Sequence, residues 1–172
     1  KLHTVAIVAD VFEGEDVEPE VQGMLAAGLR TPSLGVWWMF ARDFAKRAYL
    51  EGGREPLAPE LDRTVTKKGT LFTLMEGNDN LISFRNGYAH GATPDNEKCE
   101  ADLGKYAPRL YAAIAQSKSL MALEWLWSDA QGQGHIARGA ASVAIETGGL
   151  ETEQAFLRHG DRTVRLHPLL VR

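Results

Sequence analysis

One cysteine, Cys99, is the only thiol in a sequence of 172 residues. A single thiol closes no disulfide within the chain, so nothing points to secretion, and a reducing compartment such as the cytoplasm is expected. Long apolar runs are also missing. None approaches the ~18 residues of a membrane span, so no membrane partner is expected. Val5 to Val11 is apolar apart from Asp10, but the stretch is too short and too weakly flanked for a signal peptide. A surplus of positive charge is absent too. The 19 basic and 23 acidic side chains give a formal net charge of −4, which excludes a broadly basic nucleic-acid binder but leaves room for a small local RNA site. Metal and nucleotide signatures are lacking. His3, His135, His159 and His167 are scattered without ligand spacing, and one cysteine makes no zinc site. There is no GxxxxGK[ST], and the glycines around Gly132, Gly134 and Gly139 do not form a dinucleotide fingerprint. No metal and no cofactor are expected.

What is present reads as a globular chain. Apolar residues make up 44% and charged residues 24%, which argues against wholesale disorder, collagen and coiled coil. The length suits one domain, or one domain with an appendage. The chain opens on Lys1, and its end, Leu166 to Arg172, is still apolar. It therefore reads as a piece of a longer protein, a processed form or a trimmed one, with further domains or a partner protein to be expected.

Two halves differ in texture, with the break near Ser117 to Leu120. Val17 to Leu29 has apolar residues at helical spacing, and Arg30-Thr31-Pro32-Ser33 breaks it. Leu34 to Leu50 predicts a second helix with Trp37, Phe40, Ala41, Phe44, Ala45 and Ala48 on one face. Arg54 to Arg63 carries Pro56 and Pro59 and predicts a loop with at most a short helical turn. A third helix is expected from Thr70 to Ala89, with Leu71, Leu74, Met75, Leu81, Ile82 and Ala89 on its stripe. Continued by threes and fours, that stripe passes through Asn78 and Arg85. A buried Arg without a partner costs several kcal/mol, so Arg85 is expected either to be paired or to face a cleft or interface. His90-Gly91 stops this helix. Thr93 as N-cap, Pro94 and Asp95 start a fourth, with Leu103, Tyr106, Ala107, Leu110, Tyr111 and Ile114 on its apolar face and an end near Ser117. Beyond it, Met121 to Trp127 and Ile136 to Ile145 read as strands, the latter closed by Thr147-Gly148-Gly149. His159-Gly160-Asp161-Arg162 between two short apolar runs is a hairpin signal. The expected fold is α+β: a mainly helical bundle over residues 1–118, followed by a small antiparallel β element over residues 119–172.

The segment Phe84-Arg85-Asn86-Gly87-Tyr88-Ala89-His90-Gly91 carries a motif. It resembles the signature of HEPN domains (higher eukaryote and prokaryote nucleotide-binding), an Arg followed by a polar residue and then a His near the end of a helix. The form RNxxAHG is matched throughout. The stretch Thr31 to Trp38 is also similar to helical segments that precede such motifs in large multidomain bacterial proteins, and the likeness covers about residues 17 to 118. The resemblance implies a HEPN-like bundle with metal-independent ribonuclease activity on RNA, a homodimer with two motifs facing each other, and a role in bacterial defence, toxin or stress-response systems. It implies that Arg85 holds phosphate, His90 acts as general acid and base, and Asn86 supports them by orienting the imidazole or contacting phosphate. The residue types suit that chemistry. RNA carries its own nucleophile in the 2′-hydroxyl, imidazole exchanges protons near neutral pH, and guanidinium binds phosphate oxygens bidentately. On a straight helix, five positions place Arg85 and His90 ~140° apart, so unwinding at Gly91 would be needed to bring them together.

Other readings stand beside this one. Arg85 on an inward stripe also fits simple pairing with Glu76, Asp79 or Glu100, and His-Gly is a common helix ending. A HEPN-type chain also fits a non-catalytic sensor or dimerisation module that uses the Arg85 face as an interface. Trp37-Trp38 and the Trp125/Trp127 pair suit core packing first and base stacking second. Lys67-Lys68 and the acidic run Asp95 to Asp102 read as solvated surface, and Cys99 as inert.

Overall fold

Ala6, Ile7, Val8 and Ala9 are fully buried within a helix, α1, at Leu2–Val11. Periodicity gives no sign of it, because a central helix is apolar all round. The computed structural model describes residues 1–13, 16–30, 33–66, 69–91, 93–138, 141–145 and 154–166. Lys67-Lys68, Thr31-Pro32, Gly139, the Thr147-Gly148-Gly149 closure and His167 lie outside them.

Helices α2 (Pro19–Arg30) and α3 (Leu34–Ala45) fall where the apolar spacing puts them. Ser33 caps α3 by accepting from the Val36 N–H at 3.4 Å. The helical path runs on through a π-helical turn, Lys46–Glu51, so it reaches Leu50 as expected. The Pro-containing loop then leads into a short helix, α4, at Glu60–Val65.

The single helix expected over Thr70 to Ala89 is two helices, α5 (Thr70–Met75) and α6 (Leu81–Ala89). Glu76 is extended, Gly77 takes φ +89°, and Asn80 restarts the helix by accepting from the Ser83 N–H at 2.7 Å. Glycine and asparagine turn chemistry outweighs the continuous apolar spacing. The break resets the helical phase, so the stripe through Asn78 and Arg85 does not exist, and both residues are exposed.

Helix α7 spans Asn96–Gln116, and its N-cap is Asp95 rather than Thr93. The Asp95 carboxylate accepts from the Lys98 N–H at 2.8 Å, a stronger cap than a threonine hydroxyl. The helix ends at Ser117 as expected. Its apolar residues turn inward only in part. Ala113 is buried and Tyr106 half-buried, while Leu103, Leu110, Tyr111 and Ile114 are 68, 41, 71 and 59% exposed.

A 3₁₀ turn, Lys118–Ala122, takes the first part of the expected strand Met121 to Trp127, and β1 follows at Glu124–Ser128. The expected strand Ile136 to Ile145 divides into β2 (Gly134–Arg138) and β3 (Ala141–Ile145). The hairpin forms as its turn residues require: β4 (Ala155–His159) and β5 (Arg162–Arg165), with Gly160 at φ +58°. The sheet is antiparallel in the order β3-β2-β1-β4-β5, with Leu126 opposite Ile136 and Trp125 opposite Leu157. The fold is thus mainly helical α+β with a small C-terminal antiparallel sheet.

Helices and sheet share one core across residue 118. Leu157, Val164 and Leu166 pack in the same cluster as Ile7, Trp38, Leu61 and Met75. Leu126, Ile136 and Phe156 form a second cluster on the sheet. At the junction lies Asp10, fully buried on α1. Its Oδ2 accepts from the Tyr49 hydroxyl and the Leu57 N–H, each at 2.8 Å. Its Oδ1 faces Arg162 at 3.2 Å and Arg54 at 3.7 Å. Burial first, and the neighbouring Asp10 charge second, push the Tyr49 phenol far above its ordinary range. The phenol therefore stays protonated and donates to Asp10.

Candidate functional site

Helix α6 is a nine-residue segment fixed at both ends by local chemistry. The Asn80 cap holds its start. At its end His90 leaves helical geometry (φ −97°, ψ 20°) and Gly91 takes φ +95°, a left-handed position that suits glycine. One face of α6 is tied to α7. Phe84 lies between Tyr88 and Tyr106, with ring centroids 4.8 and 4.1 Å away. The Tyr88 hydroxyl donates to Asp102 Oδ2 at 2.7 Å, and Lys98 reaches the same oxygen at 3.2 Å. The hydrogen bond to Asp102 pushes the Tyr88 phenol up to about 12 and holds the Asp102 carboxyl below its ordinary value.

This docking turns the motif residues outward. Arg85 and His90 are exposed and Asn86 is half-buried. Arg85 Nη1 donates to Asn86 Oδ1 at 3.1 Å, which joins two of the three expected site residues. Pairing of Arg85 with an acid is not what forms. Glu76 accepts from Arg42 at 2.8 Å and from the Trp38 indole at 2.6 Å, and Asp79 pairs with Lys105 at 2.6 Å. Among the described residues Arg85 makes no ion pair and the His90 ring no hydrogen bond. His90 stands at the C-terminal end of α6. The arrangement offers five guanidinium N–H donors, with one committed to Asn86, and an unencumbered imidazole, both open to solvent.

Sequence reasoning misses a cavity elsewhere. A space of about 830 Å³ opens between α3, the π-helical turn, α4 and α5, lined by the apolar Leu50, Val65 and Phe72 and by the charged Arg42, Lys46 and Glu76. None of Arg85, Asn86 or His90 lines it. The signal available was the i, i+4, i+8 spacing of Arg42, Lys46 and Leu50 along one helical path.

His3, His135 and Trp38 take structural places. His3 contacts the Ser117 hydroxyl at 3.4 Å, and burial pushes its imidazole down to about 4. His135 lies 3.0 Å from Asp129 and stacks on Trp127 at 5.4 Å; that hydrogen bond lowers the Asp129 carboxyl. Trp38 is core, whereas Trp125 is 37% exposed. Among the described residues no three His, Cys, Asp or Glu side chains gather as a metal site, and no helix is long and apolar enough to cross a membrane. Set against protein-family models, curated proteins and solved structures, the chain matches none.

Proposed function

We propose that this chain is a metal-independent endoribonuclease module of HEPN type that works as a homodimer in a cytoplasmic bacterial defence, toxin or stress-response system. The observation that carries the reading is the exposure of Arg85 and His90 together with the absence of any acid on Arg85 among the described residues. A guanidinium sealed by a carboxylate could not receive a phosphate. This one is steered by a neutral amide and keeps its charge for a ligand.

In this reading Arg85 holds the non-bridging oxygens of the scissile phosphate and offsets the charge that grows on them. His90 takes the proton of the 2′-hydroxyl as O2′ bonds to phosphorus. The bond from phosphorus to the 5′ oxygen breaks, and that oxygen takes a proton from water, which in turn recovers the proton held by His90, so the imidazole is neutral again. The products are a 2′,3′-cyclic phosphate and a free 5′-hydroxyl. Asn86 keeps the guanidinium in place. The narrow site agrees with a net charge of −4, since the chain has no broad basic surface to spare.

The test is cleavage of end-labelled RNA in EDTA. The wild-type chain should cut, and Arg85→Ala and His90→Ala should each lose roughly 10²–10⁴-fold, the range of a general acid–base contribution. Equal cutting by wild type and His90→Ala, or no cutting by the wild type across structured and unstructured RNAs, would sink the catalytic reading.

A further inference from the structure

Helix α7 presents to solvent a stripe that monomeric surfaces seldom carry. Leu103, Ala107, Leu110 and Ile114 follow one another at intervals of four, three and four, and so form one line along a helix. Leu103, Leu110 and Ile114 are exposed, as is Tyr111 beside them, and Met121 just past the helix is 85% exposed. The other side of α7 is already used. Asp102 and Tyr106 hold α6, and Arg109 donates to the carbonyls of Asp79 and Thr73.

We propose that this stripe is the contact surface for a second copy of the chain, with two α7 helices packed antiparallel about a two-fold axis between Pro108 and Arg109. The four-three-four spacing reads the same in both directions, which is what an isologous contact requires. Leu103 then meets Ile114 of the second copy, and Ala107 meets Leu110, so four successive layers are apolar. Sliding the pair by one heptad brings Glu100 or Ser117 into the line, so only one register is apolar throughout. The flanks agree with that register. Tyr111 falls beside Gly104 of the second copy, and a Cβ on Gly104 would meet nothing within 4 Å, so the ring has room. The helix dipoles are also opposed.

The stripe lies on α7 and not on the Arg85 face of α6. A dimer across this stripe is therefore not the arrangement of facing motifs that the resemblance implies, and sedimentation tests it apart from the RNA-cleavage chemistry. One ~31 Å helix offers less than the ~800 Å² per partner of a standard interface, so association in the micromolar range is expected.

Sedimentation velocity of the 172-residue chain from about 1 to 200 µM should show a monomer–dimer equilibrium. Leu110→Glu, at an already exposed position, should keep the far-UV circular dichroism and weaken dimerisation at least tenfold. In a Cys99→Ser background, Leu103→Cys with Ile114→Cys should give a disulfide-linked dimer under mild oxidation. Leu103→Cys alone should not, because the two copies of residue 103 would lie ~16 Å apart along the axis. A wild type that is monomeric throughout, a dimer indifferent to Leu110→Glu, or cross-linking by Leu103→Cys alone would each overturn the proposal.

Discussion

Replacing Asp10 with alanine tests whether one buried carboxylate ties the helices to the sheet. Two neutral donors, the Tyr49 hydroxyl and the Leu57 N–H, end on its Oδ2 at 2.8 Å. Hydrogen bonds to a charged acceptor contribute roughly 1.5–3 kcal/mol each, so their loss costs ~3–6 kcal/mol. The two arginines add less. The Arg54 and Arg162 side chains are 31 and 43% exposed, so each turns to water once the carboxylate is gone and contributes at most ~1 kcal/mol. Asp10→Ala should therefore lose about 4–6 kcal/mol, a large share of the ~5–15 kcal/mol that a domain has in total. Asp10→Asn keeps the volume and one acceptor oxygen and should lose about half as much. Urea unfolding followed by tryptophan emission and circular dichroism measures both. Tyr49→Phe supplies the cross-check: it should cost ~1.5–3 kcal/mol in the wild type and almost nothing beside Asp10→Ala, a coupling of the same size. A loss below ~1 kcal/mol for Asp10→Ala, or additive costs in the double variant, would refute the reasoning.

Three further outcomes follow from the same geometry. Burial holds the His3 imidazole at about 4, below its unfolded value, so the unfolded chain binds the extra proton first. Stability should be full above about pH 6.5 and fall as pH drops toward 4. His3→Gln should flatten that slope in urea titrations between pH 4 and 7; an unchanged slope would count against it. A Cβ on Gly28 would overlap the Phe40 ring and crowd Val36, both in the α2–α3 contact, so Gly28→Ala should cost ~1–3 kcal/mol in thermal melts, and a neutral result would show that α2 shifts freely. Asn80→Ala removes the α6 cap and should cost about 1 kcal/mol, with faster amide exchange at Ser83 and Phe84 and no change at α3.

Elements punctuated by their own residues were legible in the sequence. Ser33, Ser117 and the His159-Gly160-Asp161-Arg162 turn mark boundaries because their side chains or backbone freedom act locally. Apolar spacing placed α2 and α3, but at three other elements it misreported the packing. Helix α1 shows no period because every side of it is covered. The Thr70 to Ala89 stripe continues across a turn that Gly77 and Asn80 impose, and this placed Arg85 inward when it faces solvent. The α7 face is apolar in sequence whether it meets the core or lies open, so spacing alone could not say which. For the candidate site, the identities of Arg85, Asn86 and His90 came from the motif. Their exposure, and the Arg85–Asn86 hydrogen bond, depend on Phe84 and Tyr88 docking on Tyr106 and Asp102, contacts that no local pattern encodes. The cavity beside the π-helical turn depends likewise on three helices meeting.

The shared core has a consequence for synthesis on the ribosome. Helix α1 leaves the exit tunnel well before Leu157, Val164 and Leu166, which complete the cluster around Ile7. Until they emerge, the Ala6–Ala9 stretch has only a partial cover, and Asp10 lacks Arg162. The chain cannot bank a finished helical half during translation; it must complete its core in one late step, with its most apolar segment in the care of whatever binds nascent chains.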